Sequence, residues 1–196
     1  MKKTLLALSL LASMVAYAKQ PKPTLIDELS QAFQAHTAKA PSTGLIETAF
    51  SPDAGSEELV LKVINASEHS IRLAAYSFTS PSVVKALLAA KKRGVDVRVV
   101  VDEKGNKSKS STAALNLLVN AGIPTRTIAT YAIHHDKYIV SDEKHVQNGS
   151  FNYSQAAVKS NSENVVVMWN NPDVAAAFLK HWQSRWDQGE DFRSTY

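Results

Sequence analysis

The chain has 196 residues, no cysteine and a formal net charge of +4, and each of these values narrows the class of protein. The length suggests one domain, and the lack of cysteine excludes disulfides, a thiol nucleophile, cysteine-based zinc sites and a lipid anchor on cysteine. The excess of 22 lysines and arginines over 18 aspartates and glutamates is mild, so it permits a polyanionic partner without indicating one.

The first 18 residues are typical of a cleaved secretory signal peptide. A basic start is followed by an apolar run over 5–15 and by a small-x-small cleavage site, Ala16-Tyr17-Ala18. The apolar run is too short for a membrane-spanning helix, which needs about 20 residues. We therefore expect an exported protein, periplasmic or secreted, without stable membrane insertion after cleavage. Residues 19–43 are expected to form a leader segment and residues 44–196 the single domain.

Strands and helices alternate in the hydrophobic pattern from residue 45 onward. Strands are predicted over 45–50, 71–78, 95–101, 125–128, 133–140, 145–147 and 164–169, and helices over 57–66, 81–93, 112–121 and 172–187. The polar, basic stretch 102–111 is predicted to be a mobile loop. This alternation predicts an α/β fold with a mixed, mostly parallel β-sheet sandwiched by helices on both faces.

The candidate active-site residues are concentrated in the run HDKYIVSDEKHVQNGSFN, residues 135–152. Side chains alternate along a strand, so His135 and Lys137 are predicted on one face, and His134 and Asp136 on the other. A neutral imidazole can attack phosphorus, and a nearby ammonium can stabilise the charge that builds on phosphate oxygens. The same alternation argues against a metal nuclease, because the neighbouring His134 and His135 cannot readily bind one ion.

The second half of this run adds neutral groups that suit a phosphate. Ser150 and Asn152 supply hydrogen-bond donors, and Gly149 leaves room for the backbone to approach a ligand. Asp142, at the end of the predicted strand, is included in the site as a structural carboxylate that orients the loop and does not attack the substrate.

The spacing of these residues, H-x-K-x4-D-x6-G-S-x-N from 135 to 152, resembles the signature of the phospholipase D superfamily, known as the HKD motif. The stretches AAYSFTS at 74–80 and NNPDVAAAFLKHW at 170–182 also resemble its small, single-motif, EDTA-resistant endonucleases, the Nuc-like periplasmic nucleases. The resemblance implies the phospholipase D/nuclease fold. It also implies phosphodiester hydrolysis through a covalent phosphohistidine, with no metal or cofactor.

The resemblance assigns roles to individual residues. It implies that His135 is the nucleophile, that Lys137 and Asn152 hold the phosphate, and that Ser150 binds phosphate or positions the motif. Glu163, at the start of the last predicted strand, matches a glutamate that hydrogen-bonds the motif histidine in this branch. The predicted catalytic residues are therefore His135, Lys137, Asp142, Ser150, Asn152 and Glu163.

One chain encodes only half of such a site. In the superfamily a second histidine, from a second copy of the motif, protonates the leaving group. No lysine stands two positions after any of the other five histidines, at 36, 69, 134, 145 and 181. Because a two-fold interface presents the same patch from both subunits, we expect a homodimer in which two copies of His135 share one phosphate.

The expected function is sequence-nonspecific endonucleolytic cleavage of DNA, with RNA left open as a second substrate. Contacts to phosphates position a nucleic acid without reading its bases. Candidate contacts to the backbone are the lysines of the predicted loop and the basic run that ends the second predicted helix: Lys104, Lys107, Lys109 and residues 91–93. Each basic group fits a solvated surface equally well. Phe151 and Tyr153 either stack on bases or pack in the core.

Two other functions remain open. The same chemistry serves phospholipid hydrolases and phosphatidyltransferases, which need an apolar groove or an interfacial helix. The mature chain offers only a weak candidate for such a helix, at 25–36. A non-catalytic envelope protein, for binding or plasmid exclusion, would keep the fold without the chemistry, and the complete motif argues against it.

Overall fold

A single sheet organises residues 44–196, the part of the chain described by the computed structural model. Its strands are β1 (Ile46–Ser51), β2 (Ser70–Ala75), β3 (Asp96–Asp102), β4 (Thr125–Ile128), β5 (Lys137–Ser141), β6 (His145–Gly149), β7 (Glu163–Met168) and β8 (Glu190–Asp191). They lie in the order β1-β7-β6-β5-β2-β3-β4-β8 across the sheet. The expected signal peptide and leader segment, residues 1–43, lie outside the described residues.

Helices form where the sequence has amphipathic periodicity. They are α1 (Ser56–Ala66), α2 (Pro81–Lys92), α3 (Lys109–Asn120), α4 (Gln155–Lys159) and α5 (Pro172–Gln188), with a short 3₁₀ helix over Lys104–Asn106. Ser80, Ser108 and Asn171 each accept a hydrogen bond from the backbone N–H three residues further on, which caps α2, α3 and α5. Within 44–196, no helix combines the length and the apolar character needed to cross a membrane.

Apolar side chains cover both faces of the sheet, so that two separate cores result. On one face, α1 to α4 pack against β-branched strand residues, and Val63, Leu87 and Leu115 are fully buried there. On the other face, α5 packs Phe178 against Tyr138 and contributes Trp182 and Trp186 to the same cluster. This arrangement confirms the predicted α/β class with helices on both faces.

The direction of the strands differs from the prediction of a mostly parallel sheet. Only β2 with β3 and β3 with β4 pair in parallel, whereas the other five pairings of the described sheet are antiparallel. Helical crossovers separate β2, β3 and β4, as parallel neighbours require. β5 instead turns directly into β6 through residues 142–144, and β7 lies between β6 and β1. The sheet is therefore mixed, as predicted, but mostly antiparallel.

The ends of neighbouring strands meet along one side of the sheet. We call this side, where the strands begin or end, the motif edge. β2 and β3 end there at Ala75 and Asp102, and β5 begins there at Lys137, which pairs with Ala75. β6 ends at Gly149 and β7 begins at Glu163 on the same edge. Residues that are far apart in the sequence are thereby brought to one place.

Two of the predicted strands are shortened because their backbone N–H groups donate to side chains that are distant in sequence. The pattern predicts a strand over 133–140, but β5 begins at Lys137 because the backbone N–H of His134 donates to the carboxylate of Asp102 (2.7 Å). β2 ends before the predicted residue 78, because the N–H of Phe78 donates to the side chain of Asn106 (2.9 Å). Neither of these partners lies in the strand that it ends.

Candidate active site

His135 and Lys137 stand at the motif edge, where β5 begins. His135 is exposed in the extended segment before the strand, whereas Lys137 is only 6% exposed. The Nζ atom of Lys137 donates to the carbonyl oxygen of His135 (2.9 Å). His134 is buried, so the two neighbouring histidines face opposite ways, although the segment that holds them is not a strand. The edge therefore presents an accessible imidazole beside a shielded cation.

Tyr76 completes the surroundings of this pair, and the motif gives no sign of it. The centroid of its ring lies 4.8 Å from that of His135 and 5.4 Å from Nζ of Lys137. An ammonium near an aromatic face is attracted by the ring quadrupole. The signal that could have found Tyr76 is its place directly after β2, the strand that pairs with β5.

Asn106 holds the Tyr76 loop in place. Its Nδ2 donates to the carbonyl oxygens of Tyr76 (2.6 Å) and Asp102 (2.8 Å), and its Oδ1 accepts from the N–H of Phe78. Gly105 allows this close packing, because a Cβ there would lie 2.9 Å from Cε2 of Tyr76. The stretch 102–111, predicted as a mobile loop, is therefore a 3₁₀ helix and the start of α3, packed against the site.

Asp102 connects the hydrogen bonds around Asn106 to the motif. Its carboxylate accepts from the N–H of Gly105 (2.6 Å) through Oδ1 and from the N–H of His134 (2.7 Å) through Oδ2. Asp102 is 1% exposed, so both bonds are shielded from water. Sequence reasoning missed this residue, although a carboxylate at the end of a β-branched strand is a recognisable signal of a positioning role.

Ser150 and Glu163 form a second group on the motif edge. The Oγ of Ser150 donates to Oε2 of Glu163 (2.5 Å) and accepts from the N–H of Asn164 (3.0 Å). The other carboxylate oxygen of Glu163 accepts from Nδ2 of Asn161 (2.9 Å). The resemblance implies a hydrogen bond between His135 and the carboxylate of Glu163, and this bond is absent among the described residues. Glu163 instead orients Ser150, and its negative charge acts to raise the pKa of Lys137.

The turn after β6 places Asn152 beneath this group. A Cβ at Gly149 would overlap the carbonyl oxygen of Asn164, so only glycine fits between β6 and β7 there. The Oδ1 of Asn152 is buried and has no hydrogen-bond partner within 44–196. Phe151 and Tyr153 are fully buried in the core, so they do not stack on bases.

A pocket of about 410 Å³ opens beside the motif. Its lining joins the motif to β6 and α5: His135, Asp136, Lys137, Tyr138, Asn148, Gly149, Ala177, Phe178 and His181. Oδ2 of Asp136 lies 2.8 Å from Nε2 of His181 and 3.5 Å from Nδ1 of His134. The HKD motif gives no sign of the three lining residues from α5.

Residues 60–186 match the family model "Cardiolipin synthase, PLD-like domain". The chain belongs to the phospholipase D superfamily. This membership confirms the prediction made from the HKD motif, and it makes the chain an enzyme of phosphodiester chemistry.

Other members of the phospholipase D superfamily resemble the chain over most of its length. The phospholipase D of Rickettsia conorii is 35% identical over 144 residues, which are 74% of this chain and 70% of that protein. The mitochondrial cardiolipin hydrolase of Canis lupus familiaris is 28% identical over 137 residues, 70% of this chain and 53% of that protein. The crystal structure of Nuc from Salmonella typhimurium, a phospholipase D family member, is 51% identical with a TM-score of 0.76, covering 77% of this chain and 99% of Nuc. The predicted phospholipase D/nuclease fold is confirmed.

Asp142 belongs to the HKD spacing of the superfamily, but the structure does not bring it to the motif edge. It follows β5 at the opposite end, where its carboxylate accepts from the N–H groups of Glu68 (3.0 Å), His69 (2.8 Å) and Ser70 (2.9 Å). Burial raises the pKa of Asp142, but these three bonds outweigh burial and hold the pKa below its ordinary value. These contacts agree with the interpretation of Asp142 as a structural carboxylate, at the end of the sheet away from His135.

The two basic groups of this phospholipase D-like domain lie at different ends of the sheet. The exposed Lys104, Lys107 and Lys109 follow β3 at the motif edge, and Lys107 pairs with Glu103 (2.9 Å). The run 91–93 ends α2, which starts at the motif edge and leads away from it. Arg93 donates there to backbone carbonyls at the end of α1, including that of Ile64 (3.0 Å). Of these two groups, only the first lies at the motif edge.

Proposed function

We propose that the protein is a metal-independent, sequence-nonspecific endonuclease that hydrolyses phosphodiester bonds of DNA through a phosphohistidine. What supports this most directly is the exposed His135 beside the buried Lys137 on an open sheet edge. An exposed imidazole is accessible to a phosphate in the middle of a long polymer. A shielded ammonium interacts more strongly with that phosphate than a solvated one would.

The reaction proceeds in two displacements. His135 attacks phosphorus, and the bond to one alcohol oxygen breaks while a second imidazole, in its protonated form, gives that oxygen its proton. Water then attacks the phosphohistidine, gives its proton to the second imidazole, and releases a phosphate monoester and free His135. Lys137 stabilises the charge on the non-bridging oxygens in both steps, and Ser150 and Asn152 supply hydrogen bonds to the same phosphate.

The second imidazole is His135 of another copy of the chain. Because the sequence contains a single HKD motif, two copies related by a two-fold axis would bring two histidines to one phosphate. His135 lies at the exposed rim of its own pocket, as a group shared between subunits must. The active site is in this proposal a joint product of two identical chains.

The substrate is nucleic acid, with DNA as the first candidate and RNA as the second. Lys104, Lys107 and Lys109 form an exposed basic strip after β3, on the same edge as the motif. Such lysines hold a backbone without reading its sequence. The signal-like residues 1–18 support an exported, periplasmic or secreted location, which N-terminal sequencing of the mature protein tests.

Phospholipid hydrolysis is the second candidate, because relatives named phospholipase D and cardiolipin hydrolase share the domain. The same two displacements would act on a headgroup diester. The pocket offers apolar surface only at Ala177, Phe178 and the Tyr138 ring, which is little for two acyl chains.

Nicking of supercoiled plasmid in excess EDTA tests the proposed function. We expect wild type to nick the plasmid and His135→Ala to be inactive. His69→Ala is the matched control, because His69 is exposed and lies at the opposite end of the sheet. Cutting that appears only after a metal is added would contradict the mechanism, and hydrolysis of phosphatidylglycerol vesicles without nicking would favour the lipid function.

A further inference from the structure

One wall of the pocket is built by α5, outside the HKD motif. Ala177, Phe178 and His181 project from one side of this helix and face the segment that carries His135. We call these three residues the α5 wall. The pocket volume of about 410 Å³ lies within the range of roughly 300–1,000 Å³ that is common for small-ligand sites.

His181 is held in a fixed orientation at this wall. Its Nε2 lies 2.8 Å from Oδ2 of Asp136, the residue between His135 and Lys137. The two side chains are 39% and 32% exposed, so the pair is oriented by the protein but open to a ligand. Pairing through Nε2 leaves Nδ1 of His181 to donate or accept a hydrogen bond.

Phe178 supplies an apolar surface next to this polar pair. Its ring packs edge-on against Tyr138, with centroids 4.9 Å apart and an interplanar angle of 77°. This contact fixes the ring, and Phe178 remains only partly buried. The wall therefore combines a fixed aromatic surface with a hydrogen-bonding histidine. That histidine pairs with Asp136, the residue next to the nucleophile His135.

We propose that the α5 wall is a nucleoside subsite, which binds the nucleoside next to the scissile phosphate. The base stacks on Phe178, and its polar edge or its sugar hydroxyl bonds to the Asp136–His181 pair. This inference rests on the proposed nuclease function and names its substrate class more closely. A nucleobase has both a π-face for Phe178 and N–H and C=O groups for Nδ1 of His181, whereas an acyl chain offers no hydrogen-bonding group.

Two chromogenic diesters with the same leaving group test the subsite. Thymidine 5′-(p-nitrophenyl phosphate) carries one nucleoside, and methyl p-nitrophenyl phosphate carries none. We expect wild type to prefer the thymidine diester. Phe178→Leu should raise KM for the thymidine diester about tenfold, the size of one lost base–aromatic stack. His181→Gln should raise it about fivefold, as for one lost hydrogen bond. Neither variant should change kcat/KM for the methyl diester beyond about twofold.

Gln183→Ala is the matched control on the same helix, since Gln183 is exposed and, among the described residues, its side chain bonds only to Asp187 (2.7 Å). Melting curves of all variants separate a folding defect from a binding defect. Equal loss on both diesters, or no wild-type preference, would overturn the subsite. Plasmid nicking by the same wild-type sample shows whether the nuclease function survives that outcome. Vesicle hydrolysis without nicking would overturn both.

Discussion

Lys137 shows how a single residue trades stability for chemistry. Its ammonium is shielded from water, donates to one carbonyl oxygen and lies near the ring of Tyr76. Burial lowers the pKa of Lys137 below its ordinary value, although the carboxylates of Glu163 and Asp136 act in the opposite direction. Such a charge costs stability in the free protein, and a phosphate bound next to it would offset that cost.

Replacing Lys137 with methionine should slow turnover strongly and raise stability at neutral pH. Loss of the cation should lower kcat by about 10²–10³. Since the folded pKa of Lys137 lies below the unfolded one, the buried charge destabilises the protein at every pH below the folded pKa. That cost disappears as the pH rises toward the unfolded pKa. The melting temperature of Lys137→Met should therefore exceed that of wild type at pH 7, with a smaller difference at alkaline pH.

The exposed Lys92, at the far end of α2, provides the control substitution Lys92→Met, which should change neither activity nor melting. A lower melting temperature for Lys137→Met at pH 7 would mean that the attraction of the Glu163 and Asp136 carboxylates outweighs the cost of burying Lys137.

At the scale of elements, the segment between β3 and α3 braces the site. Asn106 ties the backbone of Tyr76 and Phe78 to that of Asp102, and Asp102 in turn holds the backbone of His134. These contacts connect the end of β3 to the Tyr76 loop and to the segment that carries His135. The segment that holds the short 3₁₀ helix thus positions two loops, the one at Tyr76 and the one at His134.

We expect Asn106→Ala to weaken both the fold and catalysis. The variant leaves buried backbone groups without partners, which should lower the free energy of unfolding by about 2–3 kcal/mol in urea denaturation. The loosened Tyr76 loop should lower kcat about tenfold below the unfolding temperature. Asn120→Ala, at an exposed asparagine that ends α3, is the control. Unchanged kcat with reduced stability would limit the brace to a folding role.

The elements differ in how far the sequence predicts them. β3, β4 and the four predicted helices, which correspond to α1, α2, α3 and α5, follow from local apolar periodicity and capping residues, and their boundaries agree to within a few residues. The start of β5, the end of β2 and the order of 102–111 depend on Asp102 and Asn106, whose partners are distant in sequence. The HKD spacing indicated His135 and Lys137, because its chemistry is local. Tyr76 and His181 lie in the stretches 74–80 and 170–182 that resemble the superfamily, but tertiary packing brings them to the site.

At the scale of the whole molecule, the proposed active site requires two chains. A homodimer with one shared site makes a quantitative prediction for mixtures of wild type with His135→Ala after subunit exchange. Only wild-type pairs would retain both histidines, so activity should fall with the square of the wild-type fraction. At equal amounts it should be about one quarter of the undiluted value.

Plasmid nicking measures this activity, and sedimentation of the mixture verifies that subunits have exchanged. Activity in direct proportion to the wild-type fraction would show that each chain is complete by itself. In that case another group, such as His181 of the same pocket, would have to supply the proton.

Asp102 grips the motif through the amide of residue 134, not through any side chain of the segment 133–136. This bond holds the backbone next to His135 whichever side chain residue 134 carries. The segment is therefore suitable for engineering: a library at Asp136, which lines the pocket, could change what the pocket accepts while Asp102 keeps the backbone of residue 134 in place. Asp102 itself should tolerate almost no replacement, since it is the anchor that gives its neighbours this freedom.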